Sequence, residues 1–279
     1  MRQNERSACE MSRTPRYVLQ CVAWRLLAVL VPCFCFQSHH AAAEGCPDSS
    51  QDIATDRPDV TNSSLVVPTG SLQAENGVNW VAHRGVGTLD GSNTRLRLGI
   101  ARCSEFLVDL PSFTSRLYGR GPIGFSDLAP AIKHQIEGLP IGTSLSAVIG
   151  VGLPTGATRI AGRGYSPYLQ FPWSREIGEA WSINGMVTAF WFPEERPATT
   201  TVETTLAVER EIGPRADLFV EYVGDYRTHG DATQMLNFGG AYRLTPTEQI
   251  DFHIGFGLNE ISPKYFLGLG YSYRFDRLW

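Results

Sequence analysis

The chain has 279 residues, of which 43% are hydrophobic and 19% charged, and this balance is typical of a folded protein rather than a disordered one. Beyond residue 43, acidic side chains outnumber basic ones by 26 to 19, which argues against nucleic acid as a partner. A chain of this length can hold one or two domains.

Residues 1–43 have the pattern of a secretory signal peptide. Arginines precede the uncharged run LLAVLVPCFCF, and small residues follow it up to a cleavage point near Ala43. A run of 11 residues is too short to cross a bilayer as a helix, which takes about 20. We therefore predict an exported protein whose mature chain begins after residue 43, with either Met1 or Met11 as its start.

Residues 44–71 contain DRPD and several prolines, and they show no alternation of apolar and polar side chains. We predict either a periplasmic segment or a plug that folds into a barrel lumen. In the second case Asp56, Arg57 and Asp59 are the candidates for contact with charged groups of the barrel wall. Cys46 and Cys103 are the two cysteines beyond the signal peptide, and an oxidising compartment permits one disulfide between them.

From residue 72 onward the sequence alternates apolar and polar residues in stretches of about ten, the length that a tilted membrane strand requires. QIDFHIGFGL illustrates the pattern, with Ile250, Phe252 and Ile254 opposing Asp251 and His253. We predict an all-β domain over residues 72–279, an antiparallel up-and-down transmembrane β-barrel of about 12 strands. The stretches are 72–83, 93–102, 104–112, 126–137, 143–153, 165–174, 180–191, 201–210, 215–225, 233–244, 248–258 and 264–276.

The connections between these stretches alternate in length. Those after even-numbered stretches are tight, whereas those after odd-numbered ones are mostly long and rich in Gly, Pro and charge, including residues 83–92 and 111–125. An outer-membrane barrel with both termini in the periplasm has short turns at one end and long loops at the other. We therefore predict a location in a Gram-negative type of outer membrane.

The last stretch ends LGLGYSYRFDRLW, with large apolar residues on one face up to Trp279. Taken alone, this pattern also fits an edge strand of a soluble sandwich. Aromatic residues near the ends of several stretches favour the barrel, because such rings form girdles at the membrane surface. We expect outer-membrane lipid around the barrel and recognition by the barrel-assembly machinery through the strand that ends at Trp279.

Several segments resemble one family. ATDRPDVTNSS followed by VVPTGSLQAENGV, then GFSDLAPAIKHQI, GVGLPTG and LFVEYVG, is similar to the outer-membrane proteins of the meta-pathway of phenol degradation family, over nearly all of 52–279. Ser126 and His134 depart from the family's usual glycine and tyrosine. The resemblance implies an outer-membrane transporter-like barrel for small molecules, aromatic ones among them.

If the apolar face meets lipid, the charged side chains opposite it line the lumen. They either pair with one another and stiffen the wall, or form a polar constriction that selects solutes. The arginine pair with Glu221 is the best candidate for the constriction. The predicted lumen and solute-path residues are Arg95, Arg97, Asp109, Lys133, Glu203, Glu221, Asp251 and Arg274.

Three classes of function remain open. The first is a channel or transporter for passive passage of small, hydrophobic or aromatic molecules, and the second is a non-conducting structural barrel. The third is an outer-membrane lipid hydrolase with a Ser–His pair at the rim, for which the outward-facing His134 is the candidate. The G-x-S-x-G motif is absent and the histidines lack metal-ligand spacing, so we expect no catalytic residues, metal or cofactor.

Overall fold

The computed structural model describes residues 45–139, 143–161 and 163–279. The predicted signal peptide, residues 1–43, lies outside the described residues. Within them, no helix is both long enough and apolar enough to cross a membrane.

The described part of the chain contains fifteen β-strands. They are Leu72–His83 (β1), Val86–Gly91 (β2), Arg95–Ala101 (β3), Ser104–Asp109 (β4), Phe113–Tyr118 (β5), Gly124–Phe125 (β6), Ala129–Gln135 (β7), Thr143–Gly152 (β8), Ser166–Ile177 (β9), Trp181–Phe192 (β10), Thr199–Glu211 (β11), Ala216–Arg227 (β12), Thr233–Thr245 (β13), Glu248–Gly257 (β14) and Tyr265–Phe275 (β15).

These fifteen strands form one closed antiparallel barrel, as predicted. They occupy twelve strand positions around the wall, and we call each position a stave. Three staves are interrupted and consist of two strands each, β2 with β3, β4 with β5, and β6 with β7, because both members of each pair hydrogen-bond to the same neighbouring stave. The last strand, β15, pairs with β1 along its length, from Leu72 opposite Phe275 to Ala82 opposite Tyr265. Closure leaves no sheet edge, so the backbone polar groups of the wall are satisfied between strands.

Two predicted long loops are largely strand in the structure. Residues 83–92 contain β2 and residues 111–125 contain β5 and β6, so this part of the wall extends further than predicted. The physical reason is the length of β1, whose second half exposes backbone groups that β2 pairs with. Arg84 and Gly85 have φ values of 46° and 76° and close this hairpin in two residues, as tight hairpins with two positive φ angles do.

The two faces of the wall differ in chemistry. Phe252 and Leu269 have exposed fractions of 50% and 61% on the outer face, whereas Glu75, Arg97 and Glu221 on the inner face are fully buried. An outer face of this kind suits hydrocarbon, and an inner face of buried ions requires partners inside the barrel.

The barrel has a short-turn end and a long-loop end. Tight connections at 102–103, 178–180, 212–215 and 246–247 define the short-turn end, while 153–165 is the longest connection at the other. Gly178 takes a φ of 70° in one of the tight turns, a conformation that glycine adopts without steric cost. In outer-membrane barrels the short turns face the periplasm.

Candidate functional site: the occupied lumen

Residues 45–71, called the inner segment below, run inside the barrel and bond to inward-facing side chains around most of the wall. Near one end Arg274 donates from Nη2 to the carbonyl oxygen of Gln51 over 2.8 Å, and further along Gln249 donates to the Thr55 hydroxyl over 2.8 Å. Many inward-facing polar side chains of the wall therefore have partners in the inner segment.

Three buried carboxylates of the wall accept hydrogen bonds from backbone N–H groups of the inner segment. This arrangement satisfies an irregular backbone that cannot form its own ladder, and charge-assisted bonds of this type are stronger than neutral ones. The pairs are Asp56 N to Glu75 at 2.9 Å, Val67 N to Glu105 at 2.5 Å, and Val60 N and Thr61 N to Glu221 at 3.0 and 2.7 Å.

Asp56 meets three cations of the wall. Its carboxylate lies 2.9 Å from Nη1 of Arg95, 3.3 Å from Nη1 of Arg97 and 3.6 Å from Nζ of Lys133. Burial alone would raise the pKa of Asp56, but Arg97, Lys133 and Arg95 outweigh it and hold this pKa well below its usual range. Asp56 is therefore a charged anchor of the inner segment.

Arg97 uses its guanidinium as a cross-link. It pairs with Glu105 through Nη2 at 3.0 Å and with Glu75 through Nη1 at 3.0 Å. The same nitrogens donate to the carbonyl oxygens of Leu65 and Ala54 at 2.8 and 3.0 Å. Because Arg97 is fully buried, these bonds join two carboxylates of the wall to two points of the inner segment without leaving the guanidinium open to solvent.

Arg57 points into the seam where the barrel closes, beside the strands that hold the partners of Asp56. Its Nη2 lies 3.2 Å from Oδ1 of Asp251. Gly77 and Gly270 pair across β1 and β15, and Gly270 also pairs with Asp251 across β14. A Cβ on Gly77 would lie 2.3 Å from Cζ of Arg57, and one on Gly270 would lie 2.5 Å from its Nε. We call this space, bounded by Gly77, Gly270 and Asp251, the Arg57 slot.

Asp59 lies in an environment opposite to that of Asp56. Burial raises its pKa well above the usual range, and repulsion from Glu221 and Glu209 adds to the shift. Within the described ranges it forms no ion pair. The inner segment thus carries one carboxyl that stabilises docking and a second whose charge opposes it.

A disulfide joins Cys46, near the start of the inner segment, to Cys103 in the tight turn between β3 and β4. The other end of the segment leads into β1, which starts at Leu72. Both ends of the inner segment are therefore fixed at the short-turn end of the barrel, and the residues between them enter the lumen and return.

Two cavities lie in the lumen beside the inner segment. The outer chamber, of about 320 Å³, lies toward the long-loop end and is lined by Asp109, Tyr168 and Glu203 among others. The inner chamber, of about 630 Å³, lies toward the short-turn end and is lined by residues such as Asp59 and Glu209. Asn62 lines both chambers, so the inner segment lies between them.

The sequence profile of the family described as "Putative MetA-pathway of phenol degradation" matches residues 55–275. The chain belongs to this family. The match begins inside the inner segment and ends at the last residue of β15, so the family covers the segment's Asp56 and Arg57 as well as the whole wall.

Solved structures show that this family member has the fold of outer-membrane β-barrels. It is similar to the COG4313 outer membrane channel from Pseudomonas putida F1, with a TM-score of 0.60 and 15% identity over 78% of this chain and 99% of that one. It is also similar to the KdgM porin in complex with disordered oligogalacturonate, with a TM-score of 0.50 and 8% identity over 74% and 99% of the two chains. No curated protein sequence matches the chain.

Five predicted solute-path residues of this family member face inward but contact the inner segment instead of an open passage. Arg97 and Glu221 are fully buried, and Lys133 donates to the carbonyl oxygen of Ser63 over 2.6 Å. Asp251 forms an ion pair with Arg57, and Arg274 donates hydrogen bonds to the carbonyl oxygens of Gln51 and Asp52. The constriction predicted for the arginine pair, Arg95 and Arg97, with Glu221 stays a prediction. In the structure the inner segment lies against both Arg97 and Glu221.

The other three predicted solute-path residues, Arg95, Asp109 and Glu203, line the outer chamber. Arg95 and Asp109 form a two-point ion pair, with Nε to Oδ1 at 2.7 Å and Nη2 to Oδ2 at 3.0 Å. Sequence reasoning missed the apolar part of this chamber, where buried Leu107 and Val148 pack with Tyr168. Leu107 carries the signal that could have revealed it, since it is an apolar residue on the polar face of its strand.

Ser104 and His134 meet on the outer face of the barrel, where Oγ of Ser104 lies 2.9 Å from Nδ1 of His134. A nucleophilic pair also needs a third group that orients the base. Among the hydrogen bonds of the described residues, Ser104 is the one side-chain partner of this ring, and nearby Glu137 is paired with Arg102 at 2.6 Å. The arrangement lacks an orienting carboxylate.

Proposed function

We propose that the protein is an outer-membrane channel for passive passage of small molecules and that the inner segment is its plug. The observation that carries this proposal is the division of the lumen into two chambers that lie toward opposite ends and share Asn62. A barrel that served only as a scaffold would need no cavity at either end. The name of the Pseudomonas putida neighbour, an outer membrane channel, supports the same proposal.

Some contacts of the plug, those at the boundary between the chambers, are neutral hydrogen bonds that can be exchanged for water. Asn62, at the boundary, donates to Oε1 of Gln170 at 2.8 Å and accepts from Arg95 at 3.0 Å. Ser64 bonds to Ser174 at 2.7 Å. Hydrogen bonds between protein groups have a small net free energy in the presence of water, so a hydrated lumen lowers the cost of moving the plug aside.

The solutes are small, and hydrophobic or aromatic molecules are among them. Leu107, Val148, Tyr168, Met186 and Phe190 give the outer chamber an apolar wall, which is unusual for the inner face of a membrane barrel. The family description, which refers to phenol degradation, agrees with solutes of this kind.

Planar-bilayer recordings test the proposal. Purified protein should show small or rare conductance steps, and protein lacking residues 44–71 should show larger and longer ones. Circular dichroism and heat-modifiable migration in gels would establish that the shortened protein is still a folded barrel. Silence of both folded proteins would contradict a channel and favour a non-conducting scaffold.

The contact between Ser104 and His134 keeps lipid hydrolysis as a second candidate. Release of fatty acid from phospholipid vesicles by the purified protein, lost in both His134→Ala and Ser104→Ala, would support it. We expect no release above that of empty vesicles, because the pair has no orienting carboxylate within the described part of the chain.

A further inference from the structure

We propose that the outer chamber is a binding site for small amphipathic cations, that is, protonated amines attached to an apolar or aromatic body. The inference deepens the proposed channel function by naming a class of solute. It depends on the composition of the chamber wall, and on the channel only in that solute reaches the chamber through the long-loop end.

One side of the chamber is built to contact an apolar body. Leu107 and Val148 are buried and pack with the ring of Tyr168, whose centroid lies 5.6 Å from that of Phe190. Met186 completes this side, and a flexible thioether adapts to ligands of different shape. A volume of about 320 Å³ lies at the lower end of the range for small-molecule sites, about 300 to 1,000 Å³.

The polar side of the chamber offers acceptors rather than donors. Carboxyl groups of Asp56, Asp109, Asp127 and Glu203 line it, against two cationic groups, Arg95 and Lys133. Asp56 is already paired with Arg95, Arg97 and Lys133, so the surplus lies in the other three carboxyl groups. A surplus of carboxyl groups in a partly enclosed cavity attracts a cation and repels an anion.

The two cations of the chamber, Arg95 and Lys133, have most of their hydrogen-bond donors occupied by protein groups. Arg95 gives Nε and Nη2 to Asp109, and its Nη1 to Asp56 and Asn62 at 2.9 and 3.0 Å. Lys133 is 1% exposed and donates to the carbonyl oxygen of Ser63. A carboxylate solute would therefore meet guanidinium and ammonium groups whose hydrogen atoms already point at protein oxygens.

Two of the carboxyl groups, Asp109 and Glu203, are the candidates for contact with an ammonium group. The side chain of Asp109 is 37% exposed despite its pairing with Arg95. Glu203 forms no ion pair with any residue that the structure describes. Its carboxyl group is hydrogen-bonded to Thr188 and to the carboxyl of Asp225, and it lines the chamber together with Phe190. An ammonium group between Glu203 and the aromatic rings would gain both an ionic contact and a cation–π contact.

Three probes of nearly equal size separate the possibilities: benzylammonium, benzyl alcohol and benzoate. Their binding is measured by isothermal titration of the full-length mature protein in phospholipid nanodiscs, with empty nanodiscs subtracted. We expect benzylammonium to bind about tenfold more tightly than benzyl alcohol, the ratio that corresponds to an ionic contact of about 1.4 kcal/mol. Benzoate should bind more weakly than either.

Variants locate the site. Glu203→Gln keeps the shape of the side chain and should remove the preference for benzylammonium over benzyl alcohol, whereas Phe190→Leu should weaken both probes. Asp231→Asn is the matched control, because Asp231 is an exposed carboxyl at the same end of the barrel and outside the chamber. Its affinities should equal those of the unchanged protein.

The outcomes separate this inference from the proposed function. Equal or tighter binding of benzoate, or a benzylammonium preference that survives Glu203→Gln, overturns the cation site even if the barrel conducts. Benzylammonium binding that depends on Glu203, in a protein that is silent in planar bilayers with and without residues 44–71, supports the site and overturns the channel.

Discussion

Gly77 and Gly270 face each other across the seam between the first and last strands, and the guanidinium of Arg57 occupies the volume that their missing side chains leave open. The inner segment is thus docked at the position where the barrel closes, next to Asp251. Any side chain at either glycine competes with Arg57 for the same space.

Gly77→Ala and Gly270→Ala should therefore each displace Arg57 and loosen the inner segment. Hydrogen exchange of backbone amides in 45–71, followed by mass spectrometry, should become faster, and conductance steps should become more frequent. Gly45→Ala is the matched control, because a Cβ at Gly45 meets nothing within 4 Å. Unchanged exchange in both seam variants would contradict the role of the slot.

The ion pair of Arg57 and Asp251 should contribute to docking as a unit. Each of Arg57→Ala and Asp251→Ala leaves its partner buried without a counter-charge, which typically costs about 3 to 5 kcal/mol. The double variant should therefore lose less stability than the sum of the two single losses, as measured by urea unfolding in a double-mutant cycle. Additive losses would show that the two groups do not interact in solution.

Asp59→Asn should stabilise the docked segment at neutral pH. Burial and the neighbouring Glu221 and Glu209 raise the pKa of Asp59, so its charged form opposes docking and an amide of the same shape does not. The gain should be largest above the raised pKa and should shrink as the pH falls through it toward the ordinary value of about 4, because Asp59 then becomes neutral as well. Melting curves of both proteins across this pH range test whether Asp59→Asn raises the melting temperature and whether the gain shrinks at low pH.

The charge of Asp56 has the opposite effect and stabilises docking, because Arg97, Lys133 and Arg95 lower the pKa of this residue. Its contribution to docking is fully present above the ordinary pKa of an aspartate and is lost as the pH falls below it. An Asp59→Asn protein that melts at a lower temperature than the unchanged protein at neutral pH would contradict the opposed roles of these two residues.

Reduction of the disulfide should loosen the inner segment without opening the barrel. A cross-link over a sequence separation of 57 residues stabilises by about 4 kcal/mol in the loop-entropy treatment. Alkylation should label Cys46 and Cys103 only after a reductant is added, and Cys46→Ser should reproduce the conductance of the reduced protein. Two thiols that react without reductant would contradict the bond.

The twelve-stave barrel follows from the sequence because alternation with a period of two fixes which face of each strand is apolar. β2 and β5 were not predicted as strands, because VGTLDG and FTSRLY show little alternation of apolar and polar residues and resemble loop sequence. They are strands because neighbouring staves offer unpaired backbone groups beside them, and this is a property of register that a single segment does not contain.

The same limit applies to the site. Alternation places Arg97, Lys133 and Glu221 on the inner face, but it says nothing about what lies opposite them, so a filled lumen and an open one predict the same pattern. The Arg57 slot depends on the pairing of Gly77 with Gly270, two residues separated by almost the whole length of the barrel sequence. Cys46 and Cys103 were identifiable as a pair because two cysteines allow one connection.

The attachment of the inner segment at both of its ends has a kinetic consequence. The inner segment is attached covalently to Cys103 at one end and to Leu72 at the other, both at the short-turn end of the barrel. It therefore cannot diffuse away when its contacts break. Its local concentration at its own docking sites stays high, so each excursion ends by intramolecular return. Passage through such a lumen would occur in brief bursts whose duration is independent of how many copies of the protein the membrane holds.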